Sequence, residues 1–313
     1  MTESDLIKRL GASAGTVPSQ ADVFGVRRFS LEDLERRAKQ FLGSISEVSN
    51  LSLDKGDWTQ KREQILINLP RGARAIVYRA SGAMKFVAGV GPMERLFPAT
   101  TTKDTLMKAV ENTSTRLKLA GWASAAGHSL KFERLWQIKA AGGDRTGKLV
   151  EPVVCRAIGA YRHFLAEVPV LGAASAAVKI AGDGSLDSVS VQLRETTPEV
   201  IDRQPVLAAP DAARQLVRQL SALMGKSKVP YTEYAVPESM RFGYLDLGKR
   251  SFQSVLAPVY LATISIAGED AQAYVLATSA TETPYLALSR ATHEAPVTSI
   301  SRVTGAAAPP ALR

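Results

Sequence analysis

Cysteine, histidine and aromatic residues are all scarce in this chain, and each scarcity removes a class of answer. There is one cysteine among 313 residues, Cys155, so no internal disulfide can form and the fold cannot depend on oxidation. The three histidines, His128, His163 and His293, have no other His, Cys or carboxylate at metal-ligand spacing, which argues against a zinc site. Aromatics make up 6% of the chain, too few for a row of stacking platforms, so a nucleic-acid partner is not expected. No stretch approaches the roughly 18 uninterrupted apolar residues of a membrane-spanning helix. The opening Met1-Thr2-Glu3-Ser4-Asp5-Leu6 lacks a basic segment followed by an apolar one. The expectation is therefore a cytoplasmic protein, with export by a leaderless route left open. No nucleophile elbow and no phosphate loop is read from the sequence, and Gly89-Val90-Gly91-Pro92 reads as a turn. Cys155, in Val153-Val154-Cys155, reads as a small buried hydrophobe, and Trp122 and Trp136 read as core anchors.

What is present is an ordinary globular composition, 45% hydrophobic and 22% charged, long enough for two modules. The net charge of +9 is unevenly placed. Residues 1–150 hold 24 Lys/Arg against 15 Asp/Glu, which is 24 − 15 = +9, and residues 151–313 hold 15 of each. The N-terminal half should therefore prefer an acidic partner, in contacts that weaken with salt. Its cations come in pairs, such as Arg27-Arg28, Arg36-Arg37 and Lys61-Arg62, and not as a dense run.

Along the chain, residues 1–22 are small and polar and read as a flexible arm, or as a short helix around Leu6 to Leu10. Ser30 followed by Asp33 has the form of a capping box, and Leu31, Leu34, Ala38, Phe41, Leu42 and Ile45 continue it at helical spacing, with an end near Gly43. Strand-like runs at 64–69, 74–79 and 83–90 are joined by Pro70-Arg71-Gly72 and Ser81-Gly82, which favours antiparallel hairpins. A helical period returns over 103–120. Leu130 to Ala140 alternates through Phe132, Arg134, Trp136 and Ile138. Val150 to Val170 is rich in strand formers, and Gly182-Asp183-Gly184 marks a hairpin between 175–180 and 186–195. Thr196 to Pro205 reads as a linker. The clearest helix follows at 210–224, with Leu216, Leu220 and Leu223 on one face; strands at 240–247, 255–266 and 271–278 come next. Arg162 and Arg194 are expected to pair with Glu167 or Glu195.

The segment Tyr161-Arg162-His163 … Val168-Pro169-Val170-Leu171-Gly172 … Ala181-Gly182-Asp183-Gly184 … Val189-Ser190-Val191 resembles part of the propeptides of thermolysin-type metalloproteases. The helix at 212–224, Leu256-Ala257-Pro258-Val259-Tyr260 and Tyr274-Val275-Leu276-Ala277 are similar to the PepSY domains that follow in those propeptides and also occur alone. Glu167 stands where that family usually has Gly, and no His-Glu-x-x-His occurs. The resemblance thus implies a free-standing, non-catalytic binding module: an inhibitor, a folding assistant or an interaction protein.

The expected fold is α+β, with two cystatin-like modules, each a helix packed on a curled antiparallel sheet. The expected bounds are an arm at 1–22, modules at 23–200 and 205–294, and a disordered tail at 295–313. No catalytic, cofactor-binding or metal-binding residue is assigned. The candidate partner-binding residues are Arg27, Arg28, Arg36, Arg37, Tyr161, Arg162 and His163. The expected partner is a protein, acidic or a protease. Two other readings stay open. One is a structural subunit of a larger assembly, including an oligomer, for which a long free sheet edge or an apolar patch would speak. The other is an enzyme or carrier with a small-molecule cavity between helix and sheet, for which converging polar groups in a pocket would speak.

Overall fold

A computed structural model describes residues 2–49, 56–91, 94–143, 151–173, 175–224, 235–266 and 272–288. The expected tail at 295–313 and residues 267–271, between two of the expected strands, lie outside them. In chain order, α1 (Glu3–Ser13) and β1 (Gln20–Val26) precede α2 (Leu31–Ser49). Strands β2 (Asp57–Gln60), β3 (Gln64–Asn68), β4 (Arg74–Tyr78) and β5 (Met84–Val87) lead to α3 (Lys103–Arg116). Then come β6 (His128–Ala140), β7 (Val153–Leu165), β8 (Val168–Leu171), β9 (Ala176–Ile180), β10 (Leu186–Val191) and β11 (Thr196–Pro205). Helix α4 (Ala209–Met224) is followed by β12 (Ala235–Leu245), β13 (Val255–Leu256), β14 (Pro258–Ile266) and β15 (Gln272–Ser279). The class is α+β, and the strand pairing is mostly antiparallel. The chain divides into two units, and they are interleaved: one holds 22–203 and 243–258, the other 1–21, 204–242 and the chain from 259 onward.

In the larger unit, α2 starts where the capping box places it. The Asp33 amide donates to Ser30 Oγ at 3.0 Å, and the Ser30 amide donates back to Asp33 Oδ2 at 3.3 Å. The helix does not stop at Gly43. Ile45 and Val48 extend the buried stripe begun by Leu34, Ala38, Phe41 and Leu42, and packing outweighs the propensity cost of one glycine, about 1 kcal/mol. Together with α3, which offers Leu106 and Val110, it covers one face of a sheet in the order β2-β3-β4-β5-β10-β9-β7. Ile65, Ile67, Val77, Phe86, Val178 and Val189 of that sheet fill the core. Gly159 of β7 lets α3 come close, because a Cβ there would stand 2.2 Å from Val110 Cγ1. The β9–β10 hairpin forms where Gly182-Asp183-Gly184 puts it; Asp183 Oδ1 accepts from the Ser185 amide at 2.9 Å and from its hydroxyl at 2.6 Å.

Residues 243–258 complete this unit. Tyr244 and Leu245 pair in parallel with Val170 and Leu171 of β8, while Val255 and Leu256 pair with Gly25 and Phe24 of β1. Strand β11 flanks β1 on its other side, so Thr196 to Pro205 is a strand and not a linker. The linker reading failed because Pro198, Pro205 and the run of polar residues mark an edge strand as readily as a loop.

In the smaller unit, α4 packs on β15, and β14 lies between β15 and β12. Residues 1–22 are not an arm. Thr2 caps α1 through a reciprocal pair with Asp5, and Leu6 and Leu10 are fully buried where α1 packs along α4. The Tyr260 hydroxyl donates to the Leu207 carbonyl at 2.6 Å, which satisfies the one polar atom of a fully buried side chain. Among the described residues, no helix is long and apolar enough to cross a membrane.

Candidate partner-binding site

Of the predicted site residues Tyr161 and His163 are buried, Arg37 and Arg162 are half-buried, and Arg27, Arg28 and Arg36 are exposed. Arg27 pairs with Asp33 at 3.4 Å and with Glu195 at 3.3 Å, and Arg36 pairs with Asp33. Arg37 pairs with Glu195 and lies 4.6 Å from the Phe29 ring centroid and 5.6 Å from that of Trp122. Burial, reinforced by Arg27, pushes the Arg37 guanidinium down to about 10, so it stays cationic at neutral pH. Of the four arginines, Arg28 alone enters no ion pair among the described residues.

The Tyr161-Arg162-His163 run is tied into the fold by internal hydrogen bonds and an ion pair. The Tyr161 hydroxyl donates to Ser114 Oγ at 2.6 Å under α3. Arg162 pairs with Glu133 at 2.7 Å and donates to the carbonyls of Val170, Gly172 and Ala173. His163 is 1% exposed, and its Nε2 lies 3.0 Å from His128 Nδ1. Tyr161 and His163 share the buried parity of the motif, whereas Arg162 on the other parity is half-buried. The predicted partners of the two arginines are also wrong: Arg194 pairs with Asp246 at 3.1 Å, and both residues are buried.

Other chemistry-bearing residues are likewise occupied. Cys155 is 3% exposed, its sulfur 3.7 Å from the Val153 carbonyl. The run Gly11-Ala12-Ser13-Ala14-Gly15 spells G-x-S-x-G, which the sequence reading passed over. Ser13 ends α1 instead of standing on a strand-to-helix turn; its hydroxyl donates to the Leu10 carbonyl at 2.8 Å and accepts from the Met240 amide at 2.8 Å. Among the described residues, no group of three or more His, Cys, Asp or Glu could hold a metal. A shallow cavity of about 320 Å³ lies between α3 and β7, but the Tyr161 hydroxyl on its wall is already bonded.

The surface that remains open is β6. It is 13 residues long and, among the described residues, pairs with β7 alone. The β6–β7 register runs from His128↔Leu165 to Ala140↔Val153, so β6 takes one whole edge of β7 and leaves the other to β9 and β8. Directly opposed residues share a face. Phe132, Leu135 and Gln137 oppose Tyr161, Gly159 and Ala157 and so face the helices. Lys131, Arg134, Trp136 and Ile138 oppose Arg162, Ala160, Ile158 and Arg156 and face the other way. Trp136 is 52% exposed and Ile138 43%.

The sequence reading missed Trp136 because simple alternation groups it with Phe132. A bulge between Phe132 and Arg134 adds one residue and flips the parity beyond it, which turns Leu135 inward and Trp136 outward. The Arg134 guanidinium lies 5.1 Å from the Trp136 ring centroid. Neither Arg134 nor Lys139 enters an ion pair among the described residues; Arg134 stands on the outward face beside Trp136 and Ile138, whereas Lys139 opposes Val154 and takes the other face.

No family model matches this sequence, and no curated protein matches it. The fold is similar to that of a crystal structure of an uncharacterized protein from Eubacterium rectale, with a TM-score of 0.54 and 9% identity over 87% of each chain. At that identity the likeness is one of fold alone.

Proposed function

We propose that this protein is a non-catalytic partner-binding module that takes up an extended, acidic segment of another protein along the free edge of β6. The observation that carries the reading is the edge itself: 13 residues of backbone paired on one side, with Trp136 and Ile138 exposed and Arg134 beside them on the same face. An added strand would gain main-chain hydrogen bonds from the edge and side-chain selectivity from its outward face. Other edges serve less well. Strand β2 is four residues long, β15 carries no charged residue, and β11 contains Pro198, Pro205, Glu199 and Asp202. In its narrower form the reading is a cystatin-like, PepSY- or propeptide-like module with a protease as partner. Helices α2 and α3 on one antiparallel sheet, and α4 against β15, support that form.

The test is affinity capture from the native host with the full chain and with a Trp136→Ala/Ile138→Lys variant. Both positions are exposed, so the variant should keep its stability to within about 0.5 kcal/mol. The expected result is an acidic protein captured at low salt by the parent chain alone and released at about 1 M salt, where screening shortens to roughly 3 Å. Identical capture by both chains would remove the β6 edge from the account.

A further inference from the structure

A second binding feature sits at residues 246–253, between β12 and β13. The backbone here has no regular structure, yet buried side chains pin it along its length. Arg194, with its side chain 1% exposed, donates to Asp246 Oδ1 at 3.1 Å and to the carbonyls of Gly248 at 2.8 Å and Ser251 at 2.9 Å. Asp246 Oδ1 also accepts from the Gly248 amide at 2.9 Å, and its Oδ2 accepts from Gln192 at 3.1 Å. Gln253 accepts from the Leu247 amide at 3.0 Å and donates to the carbonyls of Leu245 and Val255. Ser81 Oγ donates to the Lys249 carbonyl at 2.7 Å. A buried ion pair does not by itself stabilise a fold, because desolvation offsets the attraction. Here it sets one loop conformation.

That conformation displays unusual groups. Phe252 is 74% exposed, more than any other large apolar side chain among the described residues. Lys249 lies with its Nζ 4.9 Å from the Tyr78 ring centroid, at the rim of a depression of about 230 Å³. The floor is the buried Tyr78, Met84 and Val191; the rim is Lys249, Lys85 and Ser190. None of the lining residues is a carboxylate, and among the described residues neither lysine enters an ion pair. Phe252 follows Lys249 by three residues, so its Cα lies within about 11 Å of the lysine's. The volume falls below the roughly 300 Å³ at which cofactor and drug-sized sites begin, so it suits a single side chain.

We propose that this depression seats an acidic side chain of a protein partner, between Lys85 and Lys249, while Phe252 packs against an apolar neighbour of that side chain. The proposal rests on the partner-binding reading but uses a surface other than β6. Two ammonium groups without counter-ions supply the charge complementarity. A rigid loop means that little ordering entropy is lost when the partner docks. An exposed aromatic beside cations is the residue mix of an interface anchor.

The test uses the full chain and a fluorescein-labelled peptide of alternating Glu and Leu, followed by anisotropy. Expected are saturable binding, a loss of at least ~tenfold in Lys85→Met/Lys249→Met, as for removal of charge-assisted hydrogen bonds, and a clear loss in Phe252→Ala. The Trp136→Ala/Ile138→Lys variant should bind this peptide as the parent chain does, so failure here and failure of the β6 reading are distinguishable. All the substituted side chains lie at the surface, and unchanged circular dichroism confirms each fold. Equal binding by the lysine double variant, equal binding by a Gln/Leu peptide, or no saturable binding of the Glu/Leu peptide would each overturn the proposal. Sedimentation with phosphatidylserine-containing vesicles in place of peptide binding would also overturn it, by assigning the loop to a lipid surface.

Discussion

His128 and His163 face each other through one shared hydrogen bond, 3.0 Å long, with His128 Nε2 also 3.2 Å from Thr196 Oγ1. Two neutral imidazoles suit this geometry, and two imidazolium ions do not. Burial, and then the neighbouring His128, push His163 from 6.5 down to about 4, with Asp246 opposing; burial lowers His128 as well. Between those values the unfolded chain binds more protons than the folded one. Stability is therefore complete above about pH 6.5 and is lost as pH falls toward 4, by roughly 3 kcal/mol at 1.36 kcal/mol per unit. Urea unfolding at pH 7 and pH 4.5 should show this slope, and His163→Asn should flatten it; an unchanged slope in the variant would refute the assignment. The residue scale is also where the sequence was hardest to read. Tyr161, Arg162 and His163 attract notice for their chemistry, but the burial of Tyr161 and His163 is a property of the sheet and leaves no mark on the motif. Glu167 shows the opposite case. Its φ of 70° and the 44° of Ala166 make a two-residue hairpin turn of the kind that favours glycine, and no local sequence signal marks it.

At the scale of elements, legibility followed the strength of the local signal. The Ser30–Asp33 cap, the Gly182-Asp183-Gly184 hairpin and the apolar stripe of α4 are local patterns, and each marks its element. The bulge in β6 is set by pairing with β7, so alternation along β6 alone mispredicts its faces. Helix α1 has only Leu6 and Leu10 as apolar anchors, and its stability comes from α4, about 200 residues away in the chain. Leu10→Ala and Leu220→Ala, at fully buried positions on facing helices, should each lower stability by ~2–5 kcal/mol, whereas Arg218→Ala on the exposed side should change it by about 0.5 kcal/mol or less. Thermal unfolding distinguishes them. Full stability in Leu10→Ala would return residues 1–22 to the status of an arm.

For the whole molecule, the sequence supports an α+β chain with a basic N-terminal half, but not the interleaving. The expected modules at 23–200 and 205–294 miss that 243–258 belongs with 22–203 and that 1–21 belongs with the later chain. Strand pairing with β8 and β1 decides the first and the packing of α1 on α4 the second, and composition records neither. Around Arg27, Arg36 and Arg37 the positive charge is offset locally by Asp33 and Glu195, whereas Arg134 of β6 stands beside the exposed Trp136 with no ion pair among the described residues. The most direct test places a photo-crosslinking amino acid at Trp136 in one full-length chain and at Val275, also exposed but on the uncharged β15, in another, with irradiation in the native host. The account predicts a discrete crosslinked species of acidic composition from position 136, lost when Ile138→Lys is added, and none shared with position 275. Crosslinks from position 275 alone, or from neither position, would contradict the β6 edge as the binding surface.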